Sequence, residues 1–249
     1  MNIEGKTALV IGATSGVGRA TAKALLAQGV KVAAAARGAE GLATLRTEAG
    51  SSVHTLQLDA VNAATVQRVL RELQPDFVVL AAGVRLRVAP LTEQNWESFS
   101  EPWNMDTQAA FHLVQAALTM PLTPGSKVVL VSSGAAINGS PLSGGYAGAK
   151  RMQWLMSGYA QAISDKQNLG IRFVAVVPHQ LIEGTHIGAA ASSAYGATMG
   201  MSGADFMKRF DVPLHPEGVA ASIVTCLAGE IAHDATAIRV TGKGIEPFG

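Results

Sequence analysis

Thr7-Ala8-Leu9-Val10-Ile11-Gly12-Ala13-Thr14-Ser15-Gly16-Val17-Gly18 is the stretch whose reading decides the fold. An apolar run stops at Gly12, and small and apolar residues over 18–28 then recur at helical spacing. A buried strand that turns into a helix through three glycines has a physical purpose. The glycines permit a tight turn, close approach of backbone N–H groups to a pyrophosphate, and close packing of helix on strand. The helix N-terminus adds a favourable dipole. Glycines also make ordinary turns, so the chain around this one has to decide between the readings.

Working outward, apolar runs alternate with helical patterns along the rest of the sequence. Strands are expected over 7–11, 31–36, 53–58, 77–81, 128–132, 171–177 and 237–240. Helices are expected over 18–28, 40–48, 63–73, 103–120, 146–167 and 216–227, with Pro102 interrupting the fourth upstream. This alternation predicts an α/β fold: a doubly wound parallel sheet of about seven strands with helices on both faces. Continuously apolar strands fit a sheet covered on both sides. There is no linker and no internal repeat, so residues 1–249 are read as a single domain. The segment 183–210 stands apart. It is rich in Ala, Gly and Ser, carries Met199, Met201, Phe206, Met207 and Phe210, and follows a strand expected to end on the ligand side. It is read as a substrate loop or lid, with a short helix near 204–210.

Composition excludes several classes. The formal charge of +1 recommends neither nucleic acid nor an anionic membrane surface. Cys226, the sole cysteine, sits in an apolar run and reads as a core residue, so no disulfide or cysteine-based metal cluster is expected. Six histidines are scattered without a ligand pattern, and no metal is expected. His179 and His186 flank the proposed substrate side. No run approaches the roughly 20 apolar residues of a membrane span. The N-terminus lacks a secretory leader pattern, so the expected location is the cytoplasm.

Further positions gather at expected strand ends. Thr14, Ser15 and Val17 complete the glycine turn. The second strand ends at Ala36-Arg37. Sites selecting NAD place an acid there; Ala36 cannot serve, and Arg37 suits a 2′-phosphate, so NADP(H) is favoured over NAD(H). Asp59, followed by Ala60, closes the third strand, where a carboxylate can reach an adenine amino group. Ala82-Gly83 follows the fourth, where small residues leave room for a cofactor. Ser133 closes the fifth, with Ser132 its close competitor, and lies thirteen residues before Tyr146. Tyr146 and Lys150 are four apart on one helix, so phenol and ammonium share a face. The ammonium stabilises phenolate, which makes the hydroxyl a usable proton donor and acceptor.

Gly12-xxx-Gly16-x-Gly18, Asp59, Ala82-Gly83, Ser133 and Tyr146-xxx-Lys150 stand in the order and at the spacing of the short-chain dehydrogenase/reductases. The chain resembles that family over nearly its whole length. The resemblance implies a Rossmann fold, a nicotinamide cofactor and hydride transfer at a carbonyl or alcohol. By the same resemblance Tyr146 is the general acid or base, Lys150 acidifies it and binds the nicotinamide ribose, and Ser133 orients the carbonyl.

The departures mark a divergent member. Leu80-Ala81-Ala82-Gly83 stands where the family has Asn-Asn-Ala-Gly. The family's helix Asn, which supports a proton-relay water, falls on Asp106 or, with a shorter insertion, on Asn104; Asp106 is favoured. Pro178-His179 replaces Pro-Gly, and Thr185 is displaced from the place of the Thr that meets the nicotinamide amide.

The expected function is an NADP-dependent oxidoreductase acting on a small carbonyl compound or secondary alcohol. The alternative is a dinucleotide-binding protein with weak or no catalysis, redox-sensing or regulatory. The Tyr146 helix carries more apolar surface than one core face needs (Met152, Trp154, Met156), and the family resemblance implies that such helices pair between subunits, so a homo-oligomer, a dimer or tetramer, is expected.

Overall fold

Alternation within each strand builds two cores at once. Ala8 and Val10 enter one face of the sheet, Leu9 and Ile11 the other, and the neighbouring strands repeat the pattern. The computed structural model describes residues 2–230, 235–246 and 248. Its strands are β1 (Thr7–Ile11), β2 (Lys31–Ala36), β3 (Val53–Gln57), β4 (Phe77–Leu80), β5 (Lys127–Val131), β6 (Arg172–Pro178), β7 (Ala237–Thr241) and β8 (Gly244–Glu246). They form one sheet in the order β3-β2-β1-β4-β5-β6-β7-β8. All neighbours are parallel except β7 and β8. The strand order reverses between β1 and β4, the position where sheets of this type open a ligand crevice beyond their carboxyl ends.

The helices are α1 (Gly16–Ala27), α2 (Ala39–Ala49), α3 (Ala63–Leu73), α4 (Trp96–Pro102), α5 (Gln108–Thr119), α6 (Ala135–Asn138), α7 (Tyr146–Lys166), α8 (His186–Thr198), α9 (Gly203–Met207) and α10 (Pro216–Ala228). α1 and α10 cover one face, through Ala22, Leu25, Val219, Ile223 and Leu227. α3, α5 and α7 cover the other, through Val66, Leu70, Leu113, Ala117, Met156 and Ala160. Cys226 lies in the first core, and burial pushes its thiol up to about 11. Among the described residues no helix is long and apolar enough to cross a membrane.

α7 docks by hydrogen bonds as much as by apolar contact. Lys150, Gln153, Ser157, Gln161 and Ser164 recur at three- and four-residue spacing and are all buried. Gln161 Oε1 accepts the Phe173 N–H at 2.9 Å, and Ser164 Oγ donates to the Ile171 carbonyl at 2.8 Å. Ser157 Oγ donates to the Thr236 carbonyl at 2.9 Å. Buried polar side chains are tolerable because each finds a backbone partner.

Three expectations need correction. The eighth strand was not foreseen: a two-residue loop, Gly242-Lys243, turns β7 back on itself, and three residue pairs are too few for a sequence pattern. The helix expected over 103–120 begins earlier. Asn95 caps α4 by accepting the Ser98 N–H at 2.9 Å, and the chain runs through Pro102 into a π-helical turn, Trp103–Thr107, before α5. Proline supplies no N–H to the helix ladder, and the wider turn carries the chain past it. Finally, segment 183–210 is a helical hairpin, with α8 as well as the short α9. Thr185 caps α8 by accepting the Gly188 N–H at 3.0 Å, and Tyr195 stacks on Phe206 at 5.8 Å. A run of Ala, Gly and Ser has no apolar stripe to reveal such a helix.

Candidate active site

β1 delivers the glycine turn to the crevice. At Gly12, φ is +91°, and a Cβ would lie 2.5 Å from the Ala82 backbone nitrogen. The turn after β1 and the segment after β4 are therefore packed backbone to backbone. A Cβ on Gly18 would lie 2.1 Å from the Gly12 carbonyl oxygen. Neither neighbour is a flexible side chain. Gly18→Ala is therefore expected to lower stability by about 1–3 kcal/mol and weaken dinucleotide binding together. Urea unfolding and a cofactor titration would test this; a variant with wild-type values of both would show that the close packing is dispensable.

The N-terminus of α1 suits an anion. Ser15 is its N-cap but makes no side-chain cap hydrogen bond, and no acid lies in the first turn. The leading N–H groups are thus left for a ligand, and the dipole favours negative charge. Uncapped donors at the end of a glycine turn fit the pyrophosphate of a nicotinamide dinucleotide.

The other residues singled out for the cofactor divide into two groups. Arg37 is exposed beyond β2, and its carbonyl accepts from Gln57 Nε2 at 2.9 Å. Asp59 is exposed and accepts the Val61 N–H at 3.3 Å. Ala82 and Gly83 face the glycine turn and Asp106 respectively. Thr185 reaches Gly16, its Cγ2 lying 3.4 Å from the position of a Cβ there. Its hydroxyl is engaged, donating to the Ile182 carbonyl at 2.7 Å. By contrast, Thr14 turns toward Gly41 on α2, Val17 packs on the core and Ala60 is buried in the opposite core. The Pro178 carbonyl accepts the Gly134 N–H at 2.6 Å, which ties the end of β6 to the turn after Ser133.

The chemical residues meet where β5 ends and α7 begins. Ser132 is buried, and its hydroxyl donates to the Lys150 carbonyl at 2.7 Å, so it pins the helix to the strand. Ser133 is half-buried, and its oxygen accepts only a backbone N–H, that of Ala135 at 3.3 Å. Its hydroxyl proton remains for a ligand. Tyr146 opens α7 and is 7% exposed; the Lys150 ammonium lies 5.6 Å from its ring centroid.

Lys150 is itself buried and ion-paired. Nζ is 3.2 Å from Asp106 Oδ2, 3.0 Å from Gln153 Oε1 and 3.3 Å from the Val131 carbonyl oxygen. Burial alone would push this ammonium down; the Asp106 carboxylate, then Tyr146, outweigh it, and the net shift is upward. Asp106 is 1% exposed, and its Oδ1 accepts the Val84 N–H at 2.9 Å. Asn104, two residues earlier in the π turn, is exposed and points to Ser100 at 3.5 Å. Gln153 was not singled out in the sequence. Its signal was a glutamine three residues after Lys150, on the same face of a helix otherwise packed on the core.

The model of the short chain dehydrogenase family matches residues 6–195. A sorbitol dehydrogenase from Cereibacter sphaeroides is 28% identical over 181 residues, covering 70% of this chain and 67% of the relative. The 3-oxoacyl-acyl-carrier-protein reductase FabG of Escherichia coli is 29% identical over 157 residues, covering 60% and 64%. The short chain dehydrogenase/reductase AacuD of Aspergillus aculeatus is 35% identical over 157 residues, covering 60% and 55%. The matched stretches thus span about two thirds or less of these relatives. Among solved structures, an NAD+-bound xylitol dehydrogenase superposes with a TM-score of 0.83 over 97% of this chain and 98% of that one, at 18% identity, which speaks for the fold alone. With the family model covering most of the sequence, the chain belongs to the short chain dehydrogenase family of oxidoreductases.

Proposed function

We propose that the chain transfers a hydride between NADP(H) and a carbonyl or secondary-alcohol substrate. One observation carries this reading: Tyr146, the Lys150 cation 5.6 Å from its ring and the half-buried Ser133 stand at the same sheet edge as a glycine turn whose helix N-terminus is uncapped. The dinucleotide, when bound, supplies the hydride chemistry. The chain's residues hold and move the proton. In reduction Tyr146 gives its phenolic proton to the carbonyl oxygen, and Lys150 stabilises the phenolate that remains. Ser133 donates a hydrogen bond to the same oxygen and fixes its position. In oxidation the phenolate takes the proton back. The α8–α9 hairpin serves as the lid over the substrate; its Tyr195 hydroxyl contacts Ser140 in the loop that precedes Tyr146. A screen of ketones and aldehydes, following loss of NADPH absorbance, tests the reading. No turnover with any carbonyl class would refute it.

Arg37 supports NADP(H), because the end of β2 presents a guanidinium and no carboxylate. Arg37→Ser is expected to raise KM for NADPH about tenfold or more, with KM for NADH unchanged, as befits loss of a charge-assisted hydrogen bond. Equal or better use of NADH by the unaltered protein would reject the role.

A second reading, a dinucleotide-binding protein with little catalysis, is favoured by the burial of the Lys150 ammonium in an ion pair with Asp106 at 3.2 Å and in hydrogen bonds to Gln153 Oε1 and the Val131 carbonyl. The carbonyl screen separates the two. Met152 and Met156, expected as surplus surface for a homo-oligomer, instead pack on the core beneath α7; the exposed Phe111, Tyr159 and Ile163 of α5 and α7 support that reading in their place. Light scattering that shows a monomer would dismiss it. Cytoplasmic location follows from sequence pattern alone and awaits fractionation.

A further inference from the structure

A lysine ammonium has three N–H bonds. In this chain two of them go to protein acceptors, Gln153 Oε1 at 3.0 Å and the Val131 carbonyl at 3.3 Å, while Asp106 Oδ2 lies 3.2 Å away as an ion-pair partner without a hydrogen bond. Gln153 is fully buried and uses both ends of its amide. Its Nε2 donates to the Asp106 backbone carbonyl at 2.9 Å. A closed ring results, running from the Asp106 carboxylate to Lys150, on to Gln153 and back to the Asp106 main chain. The Val84 N–H at 2.9 Å from Asp106 Oδ1 joins this ring to the segment after β4. That segment packs against the glycine turn, and a Cβ on Gly83 would lie 2.9 Å from Asp106 Oδ2.

We propose that Gln153 is a positioning residue which, with Asp106, locks the Lys150 ammonium in place as a fixed cation and closes the route by which a proton would leave through it. The part that concerns catalysis rests on the reading of Tyr146 as acid and base. The chemistry of the amide carries the argument. A water between Lys150 and the Asp106 carbonyl would accept one proton while giving another. A carboxamide at neutral pH does neither: its oxygen accepts a hydrogen bond, its nitrogen donates one, and no proton passes. The titratable groups facing Lys150 are Asp106 from the π turn and Tyr146 one turn back on α7. β5 offers only the Val131 carbonyl. Asp106 is itself 1% exposed and has no surface from which to pass a proton on. Lys150 therefore acts on Tyr146 through its charge, and the phenol exchanges its proton with solvent on the crevice side.

The direct test needs neither cofactor nor substrate. In the uniformly ¹⁵N-labelled full-length protein, the Lys150 Nζ–H protons should appear as a protected ammonium signal at neutral pH, assigned by its loss in Lys150→Met. Gln153→Met, close to glutamine in volume and without the amide, should speed that exchange about tenfold or more, as expected for loss of one hydrogen bond to a charged group. Exchange as fast as in surface lysines in the unaltered protein would overturn the proposal without recourse to any variant. So would equal protection in a folded Gln153→Met. The catalytic arm is the split between kcat and KM. In Gln153→Met kcat should fall about tenfold with KM for the carbonyl unchanged, as expected for loss of one hydrogen bond to a charged group. A wild-type kcat in that variant would overturn the proposal. A protected ammonium in a protein that turns over no carbonyl would instead refute the hydride-transfer reading and leave the lock standing.

Discussion

Tyr146→Phe is expected to lower kcat by about a hundred- to ten-thousand-fold, the range that a positioned general acid supplies. Dinucleotide affinity should stay within about threefold, since the change deletes one oxygen and leaves the glycine turn untouched. Phenylalanine keeps the ring that lies 5.6 Å from the Lys150 ammonium, so local packing is retained. The change thereby isolates the proton from the scaffold. Steady-state kinetics with the best substrate of the carbonyl screen, alongside fluorescence titration of NADPH, gives both numbers. Retained turnover would move the acid–base role to another group. Joint loss of binding and turnover would mean that Tyr146 serves the shape of the crevice instead.

The second large effect lies in the Asp106–Lys150 pair. Both groups are almost fully buried, at 1% and 5% exposure. Removing one partner of such a pair strands the other charge away from water. Asp106→Asn keeps an oxygen for the Val84 N–H and removes only the negative charge. It should cost about 3 kcal/mol or more in urea unfolding at neutral pH. Asp106→Asn combined with Lys150→Met removes both charges and should recover most of that loss. The pH dependence follows from the sign of the shift. Lys150 titrates above the ordinary lysine value in the folded protein. The stability that the pair contributes is therefore complete below about pH 10.4, the unfolded value, and is lost as pH rises through the higher folded value. The deficit of Asp106→Asn should shrink across that window. A deficit that does not change with pH would place its origin elsewhere, in packing of the π turn.

Much of this was legible before any coordinates. The element pattern was, because strand and helix periodicities are local properties of the chain. So was the glycine turn: the steric demand that excludes a Cβ at Gly12 and Gly18 leaves its mark at those positions themselves. Tyr146 and Lys150 were also legible, since two residues four apart on one helix share a face wherever the helix packs. The sequence left Ser132 and Ser133 as competitors, and only the strand's pleat shows that Ser132 turns inward to the Lys150 carbonyl. It left Asp106 and Asn104 open too, and a π turn after Pro102 decides which of them faces α7.

What the sequence determined by itself is the class of fold, the place of the glycine turn and the pairing of phenol with ammonium. Each depends on residues close together along the chain, where backbone geometry fixes their relation. What only the tertiary structure decided is the environment of that ammonium: Asp106 at 3.2 Å and the Val131 carbonyl at 3.3 Å, and α8 with its Tyr195 hydroxyl on Ser140. Those partners come from four separate stretches of chain. Their distances are set by how the π turn, α7, α8 and β5 pack, and no local pattern records that.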